Sequence, residues 1–157
     1  MRTKFILVTY LVFTLLIGCH NREENNNTSE AQLPASIVKE PGEKFNLIVL
    51  SPDAANRINL ELVPLEMREV PAPPATKITT TATLKQVPYS AIIYGINGET
   101  WVYIQVRPLT FRREAVTIER IQGDAVLLSQ GPPANTQIVA QGASELYGVE
   151  NIGNIEP

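Results

Sequence analysis

From residue 78 to residue 140 the chain is cut into short alternating runs, and no stretch keeps a helical period. Strand candidates fall at 89–94, 100–106, 115–121, 125–129 and 138–140. Gly98, Gly123-Asp124, Gly131-Pro132-Pro133 and Gly142 punctuate the joins. Strands at this spacing, without long helices between them, predict a mostly β domain, a small β-roll or barrel. Upstream, "KITTTATLKQVP" alternates with Ile78, Thr80, Ala82 and Leu84 on one face, and "KFNLIVLS" and "INLELVPL" read as two further strands. "EVPAPPATK" carries three prolines, which lack the donors a sheet interior needs, so it is a connector or an edge. Between these, "SPDAANRI" has the grammar of a helix start. Ser51 caps, Pro52 suits the first helical position, and Asp53 favours the positive end of the helix dipole, so one short helix of about two turns is expected.

Within the β run, "AIIYGINGETWVYIQV" reads as a hairpin with a glycine-punctuated turn. In its second strand Val102, Ile104 and Val106 share one face and Trp101, Tyr103 and Gln105 the other. The aliphatic face is the core face. Trp101 and Tyr103 then either cover a second layer or form a contact surface, and Phe111, Arg112 and Arg113 follow close behind. Aromatics and arginine are the residue types enriched at interfaces. Trp101, Tyr103, Phe111 and Arg112 are therefore the candidate partner-contact residues.

The N-terminus supplies an address. Arg2 and Lys4 precede an apolar stretch, 5–17, which is shorter than the roughly 20 residues a spanning helix needs. It closes on Leu16-Ile17-Gly18-Cys19, which resembles the lipobox of bacterial lipoproteins. The resemblance implies cleavage before Cys19 and acylation of its thiol, making 1–18 a lipoprotein signal peptide. Cys19 is the only cysteine, so the acylated chain holds no disulfide, no thiolate nucleophile and no thiolate metal ligand. Processing removes Arg2 and Lys4 from 13 basic residues and none of the 16 acidic ones, leaving a net charge of about −5. Such a surface does not attract nucleic acid. The bilayer is the expected partner of the acyl chains, in the cell envelope and facing the periplasm. Residue 20 is His rather than an inner-membrane retention Asp, which favours the outer membrane.

After the anchor, residues 19–43 are polar and rich in Asn and Glu, and are expected to form a flexible tether. The folded domain is then expected over 44–150, with 151–157 as a tail. On that division a chain starting at Lys44 should melt within a few degrees of the longer one.

The run from Val87 to Gly148 resembles the C-terminal membrane-proximal domain of the periplasmic adaptor subunits (membrane fusion proteins) of resistance–nodulation–division (RND) efflux transporters. The matching features are Val87-Pro88, Gly98 before Trp101-Val102-Tyr103, Phe111 and Arg113 leading into Val116, Gly123-Asp124, Val126, Ser129-x-Gly131, Ile138-Val139 and Gly142-Ala143-x-x-Leu146. The resemblance implies an efflux-associated module that docks on an RND transporter or a full-length adaptor. The chain departs from the adaptors in having neither the lipoyl-like domain nor the long helical hairpin. It also lacks a methionine-rich metal site, Met67 being the only methionine after processing.

Chemistry is sparse. The single histidine, His20, lies in the tether, and there is no Gly-x-Ser-x-Gly elbow, phosphate loop or dinucleotide fingerprint. Glu114, Glu119 and Asp124 are close in sequence, but their pattern is that of solvent-facing strand and turn residues. The expectation is a non-enzymatic envelope lipoprotein without cofactor or metal. The alternative is a stand-alone periplasmic lipoprotein that binds a small ligand or metal, which requires a concave pocket.

Replacing Cys19 by Ala should abolish incorporation of radiolabelled palmitate and leave an unprocessed precursor on a gel. Undiminished labelling would place the lipid elsewhere.

Overall fold

The computed structural model describes residues 33–71 and 81–152. Residues 1–32, with Cys19, His20 and the stretch expected to be a signal peptide, the proline-rich stretch 72–80 with Ile78 and Thr80, and 153–157 lie outside the described residues. The fold is mostly β, as the strand spacing predicts. Its elements in order are β1 (Ala35–Val38), β2 (Leu47–Leu50), α1 (Pro52–Arg57), β3 (Glu61–Pro64), β4 (Glu66–Pro71), β5 (Thr81–Pro88), a 3₁₀ turn (Tyr89–Ala91), β6 (Ile93–Tyr94), β7 (Thr100–Arg107), β8 (Thr110–Ala115), β9 (Thr117–Gln122), β10 (Ala125–Gln130), β11 (Gln137–Gln141) and α2 (Ala143–Ile152).

Two antiparallel sheets result. The larger has the order β1-β2-β8-β7-β11-β3 with β6 also on β7, and the smaller β4-β5-β10-β9. The chain passes from the larger sheet to the smaller through single buried residues, Leu65 between β3 and β4 and Val116 between β8 and β9. Leu65 is pinned there by two backbone bonds, its N–H donating to Thr136 O at 2.8 Å and its carbonyl accepting from Asn135 N at 2.9 Å. Among the described residues no strand pair closes the two sheets into a barrel, so the roll is open, close to a small sandwich.

The larger sheet is apolar on both faces. Between the sheets lies one core, in which Leu65, Val87, Val102, Ile104, Val126 and Ile138 take part. On the outer face a second core joins Ile48, Tyr103, Phe111 and Val139 to Ala54 and Ala55 of α1 and to Ala143 and Leu146 of α2. Strand β7 serves both, with Val102 and Ile104 in one and Tyr103 in the other.

Helix α1 starts as its sequence dictates. Ser51 is extended at φ −73° and ψ 156°, and its hydroxyl accepts from Ala54 N at 3.1 Å, with Asp53 in the first turn and Arg57 in the last. Helix α2 is an addition that the β-throughout reading does not anticipate. Gly142 stands before it at φ +95°, a conformation that favours glycine. The single strand expected at 115–121 is replaced by β8 and β9, with the corner at Val116. Strand β8 escapes sequence reading because Arg112, Arg113 and Glu114 hide its alternation.

Part of the segment 19–43, expected to be a tether, is structured. Residues 35–38 form β1, paired antiparallel with β2 from Ala35↔Leu50 to Val38↔Leu47. Ser51 N donates to the Pro34 carbonyl at 3.0 Å. Ala35 and Ile37 turn inward while Ser36 and Val38 face out, so four residues suffice to add an edge strand. The C-terminal boundary moves too, because Asn151 and Ile152 belong to α2. A chain starting at Lys44 therefore loses β1 and should melt about 5–15 °C below one starting at Leu33 in a thermal scan. Midpoints within two degrees of each other would show that β1 adds nothing.

Candidate contact surface

The register of β7 against β8 decides what the aromatic face can do. Tyr103 lies directly opposite Arg113, so both side chains rise from the same face of the large sheet. Helix α2 crosses above them and presents Tyr147 and Glu150, three residues apart and hence neighbours on one helix face. The Tyr103 hydroxyl donates to Glu150 Oε2 at 2.6 Å, and Arg113 Nη2 lies 3.3 Å from Glu150 Oε1. The carboxylate is almost wholly withdrawn from solvent, at 3% exposure. Burial, then the hydrogen bond and charge of Glu150, push the Tyr103 phenol far above its usual range, with the nearby Arg113 opposing.

Arg113 is also boxed by rings. Its guanidinium carbon lies 4.3 Å from the Trp101 ring centroid, 4.4 Å from Phe45 and 5.7 Å from Tyr147. Trp101 stacks on Tyr147 at 6.3 Å and meets Phe45 edge-on at 6.5 Å. The buried Nε of Arg113 has no hydrogen-bond partner among the described residues. The aromatic box is thus filled by the protein's own cation.

This arrangement corrects the contact set expected from sequence. Tyr103 and Phe111 are both fully buried, so neither can touch a partner. They are enclosed because α1 and α2 cover the face that the hairpin alone leaves open. Trp101 is half-buried under the turn, where a Cβ on Gly95 would collide with its indole ring. Arg112 reaches the surface but is occupied, 3.1 Å from Glu43 and 3.8 Å from Glu40. Of the expected core face, Val102 and Ile104 are buried while Val106 is exposed. The structure therefore brings Trp101 and Tyr103 to one cluster with Arg113 and keeps only Trp101 and Arg112 near solvent.

Beside Trp101 runs an open groove of about 690 Å³, lined by Phe45, Trp101, Val116 and Ile118 with Lys44 and Glu99. A tip missed from the sequence stands next to it. Gly95 N donates to Glu99 O at 2.8 Å, and Gly98, at φ +86°, donates to Gly95 O at 3.2 Å, closing the β6–β7 turn. Ile96 projects from this turn at 96% exposure. Tyr89 and Tyr94, half exposed, lie with ring centroids 6.4 Å apart at the base of the same hairpin. The available signal was the apolar Ile96 in a position that turn chemistry gives to Gly, Asn or Asp. Glu99 braces the turn by accepting from Asn97 N at 3.2 Å and from Asn97 Nδ2 at 3.3 Å. Bonds from its own backbone N–H and from Asn97 hold its carboxyl below the ordinary glutamate range, and Lys44 adds to the effect.

Glu119 and Asp124 are exposed and Glu114 is half-buried. Asp124 lies with Gly123, at φ +58°, in the β9–β10 turn. Among the described residues no three His, Cys, Asp or Glu side chains cluster as metal ligands, and no helix is long and apolar enough to cross a membrane. Comparison of the chain with protein-family models, with curated proteins and with solved structures finds no match.

Both faces of β7 are packed, so their substitutions should resemble one another. Trp101→Ala and Ile104→Ala should each cost about 2–5 kcal/mol in denaturant unfolding, whereas Ile96→Ala should stay within about 0.5 kcal/mol. A cost below about 1 kcal/mol for Trp101→Ala would show that the box around Arg113 holds without its indole.

Proposed function

We propose that the chain is a non-enzymatic lipoprotein of the cell envelope, anchored through Cys19, whose β domain is an adaptor-like module that holds another envelope protein. An RND-type transporter or a full-length adaptor is the partner that the sequence resemblance favours. The observation that carries an interaction role is the hairpin. Its tip exposes Ile96, Tyr89 and Tyr94 are half exposed at its base, and that base is locked by Trp101, Arg113 and Glu150. A rigid support spares a contact residue its ordering cost on binding. The ionisable groups most withdrawn from water, Glu150 and Tyr103, are committed to each other and to Arg113, which suits support rather than turnover.

One feature favours a second reading, a lipoprotein that takes up a small apolar ligand. A pocket of about 200 Å³ lies among Leu50, Ala54, Ile58, Leu146 and Val149, with Arg57 and Glu145 also in its lining. The two readings separate in one experiment. The tagged chain, extracted in mild detergent, should bring down a stoichiometric envelope transporter or adaptor subunit, and Ile96→Asp should reduce its recovery. A chain recovered alone, with a melting midpoint that rises with added small apolar compounds, would transfer the function to the pocket.

A further inference from the structure

The smaller sheet, in the order β4-β5-β10-β9, leaves β4 and β9 without a neighbour on one side among the described residues. An open edge presents alternate backbone N–H and C=O groups that another strand can take up. The two edges differ. The ladder of β9 on β10 is broken by register shifts between Leu127 and Leu128 and between Leu128 and Gln130, and bulges of this kind blunt an edge. β4 runs unbroken against β5, from Glu66↔Gln86 to Pro71↔Thr81. Its residues Glu66, Met67, Arg68 and Glu69 are all exposed. Both faces of the strand therefore lie in water here, where a strand of a two-layer fold ordinarily buries every second side chain.

The charges on this edge are also uncommitted. Among the described residues neither Glu66 nor Arg68 enters an ion pair. Arg68 Nη1 donates to the neutral Gln86 Oε1 at 3.0 Å. Met67, 48% exposed, lies between the two charges.

Symmetry decides what fits such an edge. When two copies continue one sheet antiparallel about a two-fold axis, opposed side chains share a face, so each residue meets one of its own parity. An axis through Met67 puts Glu66 opposite Arg68 of the second copy and Arg68 opposite its Glu66. The two Met67 side chains then lie side by side. Two opposite-charge pairs flank an apolar one, and both kinds favour cross-strand pairing. The register ends where Glu69 meets Leu65, which is buried and whose N–H and C=O are bound to Thr136 and Asn135. β9 fails the same operation. The two registers that overlap most of it centre on Glu119 or Arg120 and set that charge against its own copy. The match at β4 is of the strand to itself, and so it names the occupant.

We propose that two copies of this chain pair through β4, edge to edge and antiparallel, in the register Glu66↔Arg68 about Met67, joining their smaller sheets into one. The pairing needs neither the anchor nor the hairpin, so it stands apart from the function proposed above. Its contact is narrow, and narrow contacts are weak, so it is read in place by cross-linking.

The test uses the full chain in the cells that produce it, with Met67→Cys at the axis. Directly opposed residues of an antiparallel pair lie about 4.5–5.5 Å apart at Cα, within reach of a disulfide. Oxidation with copper phenanthroline should give a species of twice the chain's mass. Its yield should be at least about fivefold above that from Ile121→Cys, on the exposed β9 edge, and from the parent, whose only cysteine is Cys19. With Met67→Cys in place, Glu66→Arg or Arg68→Glu alone should lower the yield about fivefold, and the two together should restore it to within about twofold. Glu119→Arg, the same change of charge on the other edge, should leave it unaltered. Each variant should melt with its parent, which excludes a folding effect. The proposal is overturned by a yield from position 67 no higher than from position 121, or by one indifferent to the single reversals. Failure of the double reversal to recover it, an equal loss on Glu119→Arg, or an adduct to a different protein would overturn it as well.

Discussion

Among the described residues Glu150 is the one acidic side chain in the interior, and much of the outer core is arranged around it. A carboxylate at 3% exposure is costly to bury and persists only when its oxygens are met. Tyr103 meets one oxygen and Arg113 the other. This fixes the pitch at which α2 lies on the sheet, and with it the position of Tyr147, one helical turn earlier. Tyr147 covers Trp101, Trp101 and Phe45 enclose the Arg113 guanidinium, and the indole edge abuts Gly95 beneath the hairpin turn. The sequence-distant helix and hairpin are thus joined by one polar knot. Its net worth is smaller than its parts, because desolvation offsets most of the attraction, but removing Tyr103 or Arg113 leaves one buried Glu150 oxygen unmet, and removing Glu150 leaves both of them without it.

That knot explains a division of labour along the hairpin. Its base is built from large rings and a caged cation, which lose little by being fixed, whereas its end carries a turn closed by Gly95, Gly98 and Glu99 and little else. Preorganisation is cheap where packing already enforces it and scarce in a bare turn. Here the bracing of Asn97 by Glu99 extends order to the outermost residues. The surface that faces solvent is consequently small and stiff, and it is supported from a core some residues away.

How much of this was legible follows from what each signal measures. The grammar of Ser51-Pro52-Asp53 acts within a single turn, so α1 could be read directly. The strand spacing and Gly98 likewise give the hairpin, because turn chemistry is local. Alternation in "ETWVYIQV" separates the two faces correctly as far as Gln105, before the register shift that leaves Val106 exposed, but it cannot say that the second face is covered too. That depends on α2, which arrives from forty residues downstream and whose pattern, with Gly148 inside it and Glu150 turned inward, is a poor amphipathic signal. Of the two roles the alternation leaves open for Tyr103, the structure shows cover for a second layer, and Phe111 shares it. Arg113 reads from sequence as an interface type, and its interior role depends on its register opposite Tyr103, which no local pattern encodes. β1 was lost in a polar segment because an edge strand needs only two inward side chains, Ala35 and Ile37, too few to stand out.

The two faces of β7 are chemically unequal, and this has a bearing on fidelity of assembly. On one side Val102 and Ile104 join the aliphatic core between the sheets, while on the other Tyr103 needs a carboxylate for its hydroxyl. Sliding β7 by one position would carry the phenol into a dry hydrocarbon layer and leave Glu150 facing valine or isoleucine. A strand with plain aliphatics on both sides would tolerate such a slip at modest cost. Tyr103 therefore works as a key, admitting one alignment of the central strand and rejecting its nearest competitors.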